Sequence, residues 1–160
     1  MTIQQPYVLF LGDAPDPLAA KVAQGIKDWR PGISVGQITL PGCKADMGLK
    51  NISVKEAVSL GAKTLVIGVA NRGGLISSKW MEVLKEAIVS GLDIASGLHN
   101  LLRDEKELVD LSKSNNTQLI DVRVPTINYP IANGKKRKGM RCLAVGLSLI
   151  HISEPTRPTP

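Results

Sequence analysis

Aromatic side chains are scarce in this chain of 160 residues and make up only 3% of it. The hydrophobic core must therefore be built from aliphatic side chains, which suits a parallel sheet that is buried on both faces. The chain is long enough for one domain with a substantial core. Its apolar content of 43% and charged content of 21% are typical of a globular protein and argue against an intrinsically disordered one.

Several signals of other protein classes are also missing. No apolar run approaches the ~20 residues that cross a bilayer, and the short polar segment 1–6 lacks the basic region of a secretory signal. The two cysteines, Cys43 and Cys142, are far apart and match no metal-ligand spacing. We therefore expect a cytoplasmic protein with free thiols, without a metal site and without a membrane partner.

The net charge of +6 is concentrated in one part of the sequence. Six of the 20 basic residues lie within residues 135–157, whereas residues 1–134 carry 14 basic and 13 acidic side chains. A stripe of basic residues with interleaved aromatics is missing. The segment NGKKRKG (133–139) is therefore interpreted as a solvated linker, and no nucleic-acid partner is expected.

Short apolar runs alternate along the chain with stretches of helical periodicity. Strands are predicted at 7–11, 34–40, 64–69, 92–95 and 118–122, and helices at 18–29, 53–60, 78–90 and 104–114. This alternation implies parallel strands that are joined by right-handed crossovers. We predict an α/β fold over residues 1–124, a three-layer Rossmann-like or flavodoxin-like parallel sheet of about five strands.

Two of the helix starts are predicted from local chemistry. Ser53 and Glu56 have the spacing of a capping box, in which each side chain accepts a hydrogen bond from a free amide of the first turn. The acidic segment DEKE (104–107) is the second start signal, because acidic side chains favour the first turn of a helix.

Ligands of open parallel sheets bind beyond the carboxyl ends of the strands. Four loops are predicted there: GDAPD (12–16), ANRGG (70–74), SGLHN (96–100) and DVR (121–123). Arginines can hold a carboxylate with paired charge-assisted hydrogen bonds, glycine amides near a helix start attract anions, and an imidazole can exchange protons near neutral pH. These side chains together suit a small acidic ligand. The candidate catalytic residue is His99, and the candidate substrate-binding residues are Asn71, Arg72, Gly73, Gly74, Ser96, Asn100, Asp121 and Arg123.

Five of these residues also have a purely structural interpretation. Gly73 and Gly74 can form a simple turn, and a single histidine is more often structural than catalytic. Asp121 and Arg123 are two residues apart, so that on a strand they would share a face and could only tie the end of the sheet to the linker. The turn GDAPDP after the first strand is not the G-x-G-x-x-G fingerprint, which disfavours a dehydrogenase. No nucleophile elbow or Ser-His-Asp order is present.

Four segments carry a resemblance to a known family. They are LVIGVANRGGLI (65–76), GLDIASGLHNLL (91–102), LIDVRVP (119–125) and GKKRKGMRCLAVG (134–146). Together they resemble the amino-terminal part of the D-glutamate N-acetyltransferase family over residues 7–146. The resemblance implies a Rossmann-like domain (1–124), a basic linker (125–139) and a P-loop domain of which 140–146 is the first strand. It also implies acetyl-CoA or a nucleotide as a cofactor of the intact protein.

The segment after Gly146 departs from the family pattern. The family continues with a Walker-A-like loop that ends in Gly-Lys, whereas this chain continues with LSLIHISEPTRPTP (147–160). That segment resembles the translated read-through of a sequencing adapter, and we expect it to be a non-native tail on a truncated chain. The alternative is a divergent natural tail. A truncated chain is expected to be inactive and to bind no cofactor.

The resemblance implies transfer of an acetyl group from acetyl-CoA to the amine of D-glutamate, a step of D-amino acid catabolism. We expect His99 to transfer the proton, Arg72 and Arg123 to bind carboxylates, and the amides of Gly73 and Gly74 to act as donors. The alternative is a metabolite-binding regulatory domain that is attached to a P-loop NTPase. Either protein could be a homo-oligomer.

Overall fold

The computed structural model describes residues 2–125, apart from the side chain of Arg72. The predicted linker beyond Pro125, the predicted strand 140–146 and the predicted tail 147–160 lie outside the described residues. The strands are β1 (Tyr7–Gly12), β2 (Ser34–Thr39), β3 (Thr64–Ile67), β4 (Asp93–Ser96) and β5 (Leu119–Asp121). The helices are α1 (Lys21–Trp29), α2 (Val54–Ser59), α3 (Ser78–Val89) and α4 (Lys106–Asn115).

The five strands form one parallel sheet in the order β2-β1-β3-β4-β5. The crossover from β1 to β2 runs one way along the sheet and the later crossovers run the other way. Because crossovers are right-handed, α1 covers one face and α2, α3 and α4 cover the other. In agreement, α3 contacts both α2 and α4. The predicted three-layer α/β sheet is confirmed, and its strand order is the flavodoxin-like one.

The core lies around β1 and β3, which are covered on both faces. Val8, Leu9 and Phe10 of β1 are completely buried, and so is Leu65 of β3. The core is mainly aliphatic, as the composition predicted, and its aromatic part is an edge-on pair of Phe10 and Trp80 with 5.4 Å between ring centroids. Every helix within residues 2–125 is too short or too polar to span a bilayer.

A buried amide on β2 holds the long connection from β2 to α2. The side chain of Gln37 donates to Asp46 Oδ1 at 2.9 Å and accepts from the Met47 amide at 2.9 Å. The Gly48 amide also donates to Asp46 Oδ1 at 2.7 Å. The hydrogen bonds from Gly48 and Gln37, together with the Lys27 ammonium, hold the pKa of the Asp46 carboxyl below its usual value.

The predicted capping box is half formed. Ser53 Oγ accepts from the Glu56 amide at 3.2 Å and caps α2, as predicted. The Glu56 carboxylate pairs with Lys50 across the preceding loop. A lysine within reach therefore replaces the backbone amide as the partner of this glutamate.

One predicted helix start is wrong and another is confirmed. The helix predicted from Leu18 begins with a 3₁₀ turn, Pro17–Ala20, before α1, because the Asp16 carboxylate accepts from the Ala19 amide at 2.8 Å and caps this turn. The start predicted at 104–107 is confirmed, since α4 begins at Lys106 with Glu107 in its first turn. Another 3₁₀ turn, Leu102–Asp104, precedes this helix.

The end of β3 lies unusually close to α1. The Gly68 carbonyl accepts from the Ala23 amide at 3.0 Å, and its amide donates to the Phe10 carbonyl at 2.9 Å. A Cβ atom at Gly68 would lie 2.5 Å from the Ala23 Cβ and 3.2 Å from its Cα. The absence of a side chain at residue 68 therefore allows the helix to pack directly on the sheet.

We expect Gly68→Ala to destabilise the domain by about 1–3 kcal/mol, because the added methyl overpacks a contact with helix backbone. The measurement is the free energy of unfolding in urea. Gly97→Ala is the matched control, since a Cβ atom there would lie 3.5 Å from Val122 Cγ2, at ordinary contact distance. Equal stability of the two variants would contradict the close contact between α1 and β3.

Candidate functional site

A closed turn follows β3 at the carboxyl edge of the sheet. Gly73 and Gly74 have φ values of 80° and 63°, a backbone conformation that favours glycine. The Gly74 amide donates to the Asn71 carbonyl at 3.1 Å, and Asn71 Nδ2 donates to the Leu75 carbonyl at 2.7 Å. The Gly74 amide is therefore engaged inside the turn, which corrects the expectation that it is a donor for a ligand.

A second turn follows β4 and packs on the first. The Asn100 amide donates to the Gly74 carbonyl at 3.1 Å. A Cβ atom at Gly74 would lie 2.8 Å from the His99 amide nitrogen and 2.9 Å from the His99 Cβ. Residue 74 must be glycine for this approach, and the His99 side chain is exposed above it.

Side chains behind the second turn hold it in place. Ser96 is 2% exposed, and its hydroxyl accepts from the Leu98 amide at 3.1 Å. Asn100 Nδ2 donates to Glu105 Oε1 at 2.8 Å. These two candidate residues therefore support the turn that carries His99, with Ser96 inside the protein and Asn100 half-buried.

Asp121 at the end of β5 fixes the segment that follows the second turn. Its Oδ1 accepts from the Leu102 amide at 2.8 Å, and its Oδ2 accepts from the Arg103 amide at 3.3 Å and from Arg103 Nε at 3.1 Å. The carboxylate is 2% exposed. Because both oxygens accept internal hydrogen bonds, we assign Asp121 a positioning role.

The predicted geometry of Asp121 and Arg123 is wrong. Strand β5 ends at Asp121, and the chain turns so that the Val124 amide donates to the Asp121 carbonyl at 3.1 Å. Arg123 is exposed in this turn and does not share a strand face with Asp121. Asp121 ties the sheet to the segment after β4.

The structure therefore brings together Asn71, Gly74, His99 and Asn100, which we call the β3–β4 edge. Ser96 and Asp121 support this edge from inside the domain. Arg123 lies in the turn after the neighbouring strand β5. Arg72 belongs to the first turn by its backbone, and its side chain lies outside the described atoms.

Sequence reasoning missed two contacts along the carboxyl edge of the sheet. Arg103, the partner of Asp121, is 18 positions away, and no local pattern links the two residues. At the end of β1, the buried indole of Trp80 donates from Nε1 to Asp13 Oδ1 at 2.7 Å. Its ring lies against Gly12, where a Cβ atom would be 2.7 Å away. The apolar periodicity of α3 identified Trp80 as core and carried no signal for the polar contact.

A cleft of about 300 Å³ lies between the turns that follow β1 and β3. Pro15, Asp16, Leu18 and Lys21 line one side, and Asn71 lines the other. The Asn71 Oδ1 atom is buried without a hydrogen-bond partner among the described residues. This is the point where the strand order reverses, at which many doubly wound sheets bind ligands.

The cleft does not fit a pyrophosphate group. A helix start binds phosphate through free amides and positive dipole charge. Here the Asp16 carboxylate already accepts from the Ala19 amide, and Pro17 at the first position has no N–H group. The described residues therefore offer no such cradle for the diphosphate of acetyl-CoA or of a dinucleotide. Within residues 2–125, no three His, Cys, Asp or Glu side chains come together as a metal site.

We expect Asp121→Ala to destabilise the domain by about 2–4 kcal/mol, because it leaves two amides and a guanidinium without their acceptor. Arg123→Ala is the matched control and should change stability by less than about 0.5 kcal/mol, since its side chain is exposed. Urea unfolding measures both values. A small effect of Asp121→Ala would remove the positioning role of this residue.

The comparisons with known proteins agree with this architecture. The family described as "Domain of unknown function (DUF1611_N) Rossmann-like domain" matches residues 38–125, more than half of the chain. A solved DUF1611 family protein from Anabaena variabilis superposes with a TM-score of 0.64 at 24% identity, covering 82% of this chain and 40% of that one. This likeness shows the fold alone.

Two curated relatives share much more sequence. The D-glutamate N-acetyltransferase of Tritonibacter scottomollicae is 62% identical over 144 residues, which is 90% of this chain and 43% of that protein. The D-glutamate N-acetyltransferase of a Pseudoalteromonas species is 47% identical over 146 residues, 91% of this chain and 44% of that protein. The chain thus spans less than half the length of these relatives. The resemblance carried by the four sequence segments is confirmed. Because the family match covers more than half of this chain, the chain belongs to the DUF1611_N family of Rossmann-like domains.

Proposed function

We propose that the chain is part of an enzyme that transfers an acetyl group from acetyl-CoA to the amine of D-glutamate. The support comes from two relatives named for this activity, one of them 62% identical over 90% of the chain. In this proposal the described domain contributes the β3–β4 edge to the binding site of D-glutamate. The edge lies where open parallel sheets hold their ligands.

The observation that carries the proposal is the direct contact between the two turns. The hydrogen bond from the Asn100 amide to the Gly74 carbonyl joins them, and the missing side chain at Gly74 lets the His99 backbone rest on the first turn. His99 is exposed on a backbone that is fixed from both sides. A fixed backbone holds an imidazole in a productive position at little entropic cost during the reaction.

The chemistry assigns a role to each candidate group. The ammonium of D-glutamate must lose a proton before its nitrogen can attack the thioester carbonyl, and we assign this proton transfer to His99. The nitrogen then forms a bond to the acetyl carbon and gives up a second proton, the carbon–sulfur bond breaks, and the coenzyme leaves as a thiolate that takes up a proton. Arg72 and Arg123 bind the two carboxylates of the substrate. Asn71 Oδ1, a buried acceptor without a described partner, gains a donor from the substrate nitrogen.

The acyl donor is proposed to bind mainly outside residues 2–125. In dinucleotide-binding domains the first helix start after β1 binds the diphosphate, whereas here the Asp16 carboxylate caps the 3₁₀ turn Pro17–Ala20 that precedes α1. The family resemblance assigns phosphate binding to a P-loop domain that would follow the linker.

The proposal is tested in the Tritonibacter relative, with alanine at the position that aligns with His99. We expect kcat to fall by about 10²- to 10⁴-fold, with a smaller change of KM for D-glutamate, because a general base acts in the chemical step. Alanine at the position of Arg123 should instead raise KM for D-glutamate. Release of CoA thiol and formation of N-acetyl-D-glutamate are measured together.

The control is alanine at the position that aligns with Arg30, which is exposed at the opposite edge of the sheet. It should leave both constants unchanged. Normal turnover of the variant at His99 would place the catalytic base elsewhere. Release of phosphate from ATP without acetyl transfer would favour a metabolite-binding regulatory domain on a P-loop NTPase.

A further inference from the structure

The outward face of α1 and of the turn before it carries an exposed apolar stripe. Leu18 is 75% exposed, Val22 is 40% exposed and Trp29 is 85% exposed. Together with Gly25 they are spaced four, three and four residues apart, so that they line one side of the helix. We call these four residues the α1 stripe. A tryptophan at this exposure contrasts with Trp80, which is 2% exposed in the core.

No packing contact within the described domain requires a glycine in the middle of the stripe. A Cβ atom at Gly25 would meet no heavy atom within 4 Å among the described residues. Its φ value is not positive, so that alanine or leucine could adopt the same backbone. Glycine inside a helix is less stable than alanine. A glycine is useful at this position when a second backbone comes close to the helix.

We propose that the α1 stripe binds the α1 stripe of a second copy of this chain in an antiparallel, two-fold symmetric contact. The centre of the stripe lies midway between Val22 and Gly25. Leu18 and Trp29 lie the same number of positions from this centre, Leu18 in the 3₁₀ turn Pro17–Ala20 and Trp29 at the end of α1. Antiparallel pairing therefore sets Leu18 against the partner's Trp29 and Val22 against the partner's Gly25.

The charged side chains beside the stripe also fit the antiparallel pairing of two copies. Lys21 and Asp28 are both exposed and follow the same flank of the helix. In a two-fold antiparallel pair, a residue in the amino-terminal half of one helix lies near a residue in the carboxyl-terminal half of the partner helix, on the same flank. Lys21 then lies beside the partner's Asp28, and the second pair repeats this contact. Opposite charges at these two positions favour a second copy of the chain over an unrelated occupant.

The stripe reaches the cleft beside the proposed substrate edge. Helix α1 covers the face of the sheet opposite α2, α3 and α4. Leu18 and Lys21 line one wall of the cleft after β1 and Asn71 lines the other, so that the second copy covers the wall opposite Asn71. The contact involves neither His99 nor Gly74 and does not depend on the proposed acetyl transfer.

Sedimentation of the 160-residue chain from about 1 to about 300 µM tests the proposal, a range that brackets small interfaces. We expect a reversible dimer and a blue shift of tryptophan emission as Trp29 is covered.

Gly25→Leu should raise the thermal midpoint, because leucine is the better helix former, and weaken the dimer at least about tenfold. Val89→Lys is the control, since Val89 is 61% exposed on α3, and it should leave association unchanged.

Charge exchange tests the antiparallel arrangement. Lys21→Asp and Asp28→Lys should each weaken the dimer, and the double variant should recover it, because both cross-pairs are restored in reverse. A chain that stays monomeric over the whole range overturns the proposal. A dimer that Gly25→Leu leaves intact also overturns the proposal. The antiparallel pairing is overturned if the double variant dimerises no more tightly than either single variant.

Discussion

The contact of Gly74 with the backbone of His99 sets the geometry of the carboxyl edge. A side chain at residue 74 would require the second turn to move away, because its Cβ atom would lie 2.8 Å from a backbone nitrogen. The hydrogen bond from the Asn100 amide to the Gly74 carbonyl depends on the same approach. Ser96 and Asp121 then hold the second turn and the segment after it from inside the sheet. A buried serine and a buried carboxylate thus support an exposed histidine.

The turn after β1, at the other part of the carboxyl edge, differs from the turn of dinucleotide-binding domains. The turn after β1 has an aspartate at the helix start and a proline at the first helical position, where dinucleotide-binding domains have free glycine amides. The same sheet can therefore support a different chemistry, since the turns at its edge decide which ligand is held.

Most of the fold could be predicted from the sequence. The buried runs of β1 and β3, the cap at Ser53 and the apolar face of α3 are local patterns, and the structure confirms them. The strand order could not be predicted, because parallel strands with similar apolar runs can be arranged in several ways. The error at Leu18 has a local cause, since the Asp16 carboxylate caps a 3₁₀ turn there.

The candidate site could be predicted only as a set of loops. The position of a loop after a strand predicted that residues 70–74 and 96–100 meet at one edge, and they do. Sequence could not show that the Gly74 amide is engaged, that Arg103 pairs with Asp121 or that Trp80 binds Asp13. These contacts join residues up to 67 positions apart, and only the packed sheet brings them together.

Titration of the ¹⁵N-labelled chain tests whether the β3–β4 edge binds D-glutamate. Amide signals are followed as D-glutamate is added, with L-glutamate as the stereochemical control. We expect saturable shifts at Gly73, Gly74, His99 and Asn100 that are larger with D-glutamate. Unchanged signals at these residues, or shifts confined to the turn after β1, would contradict it.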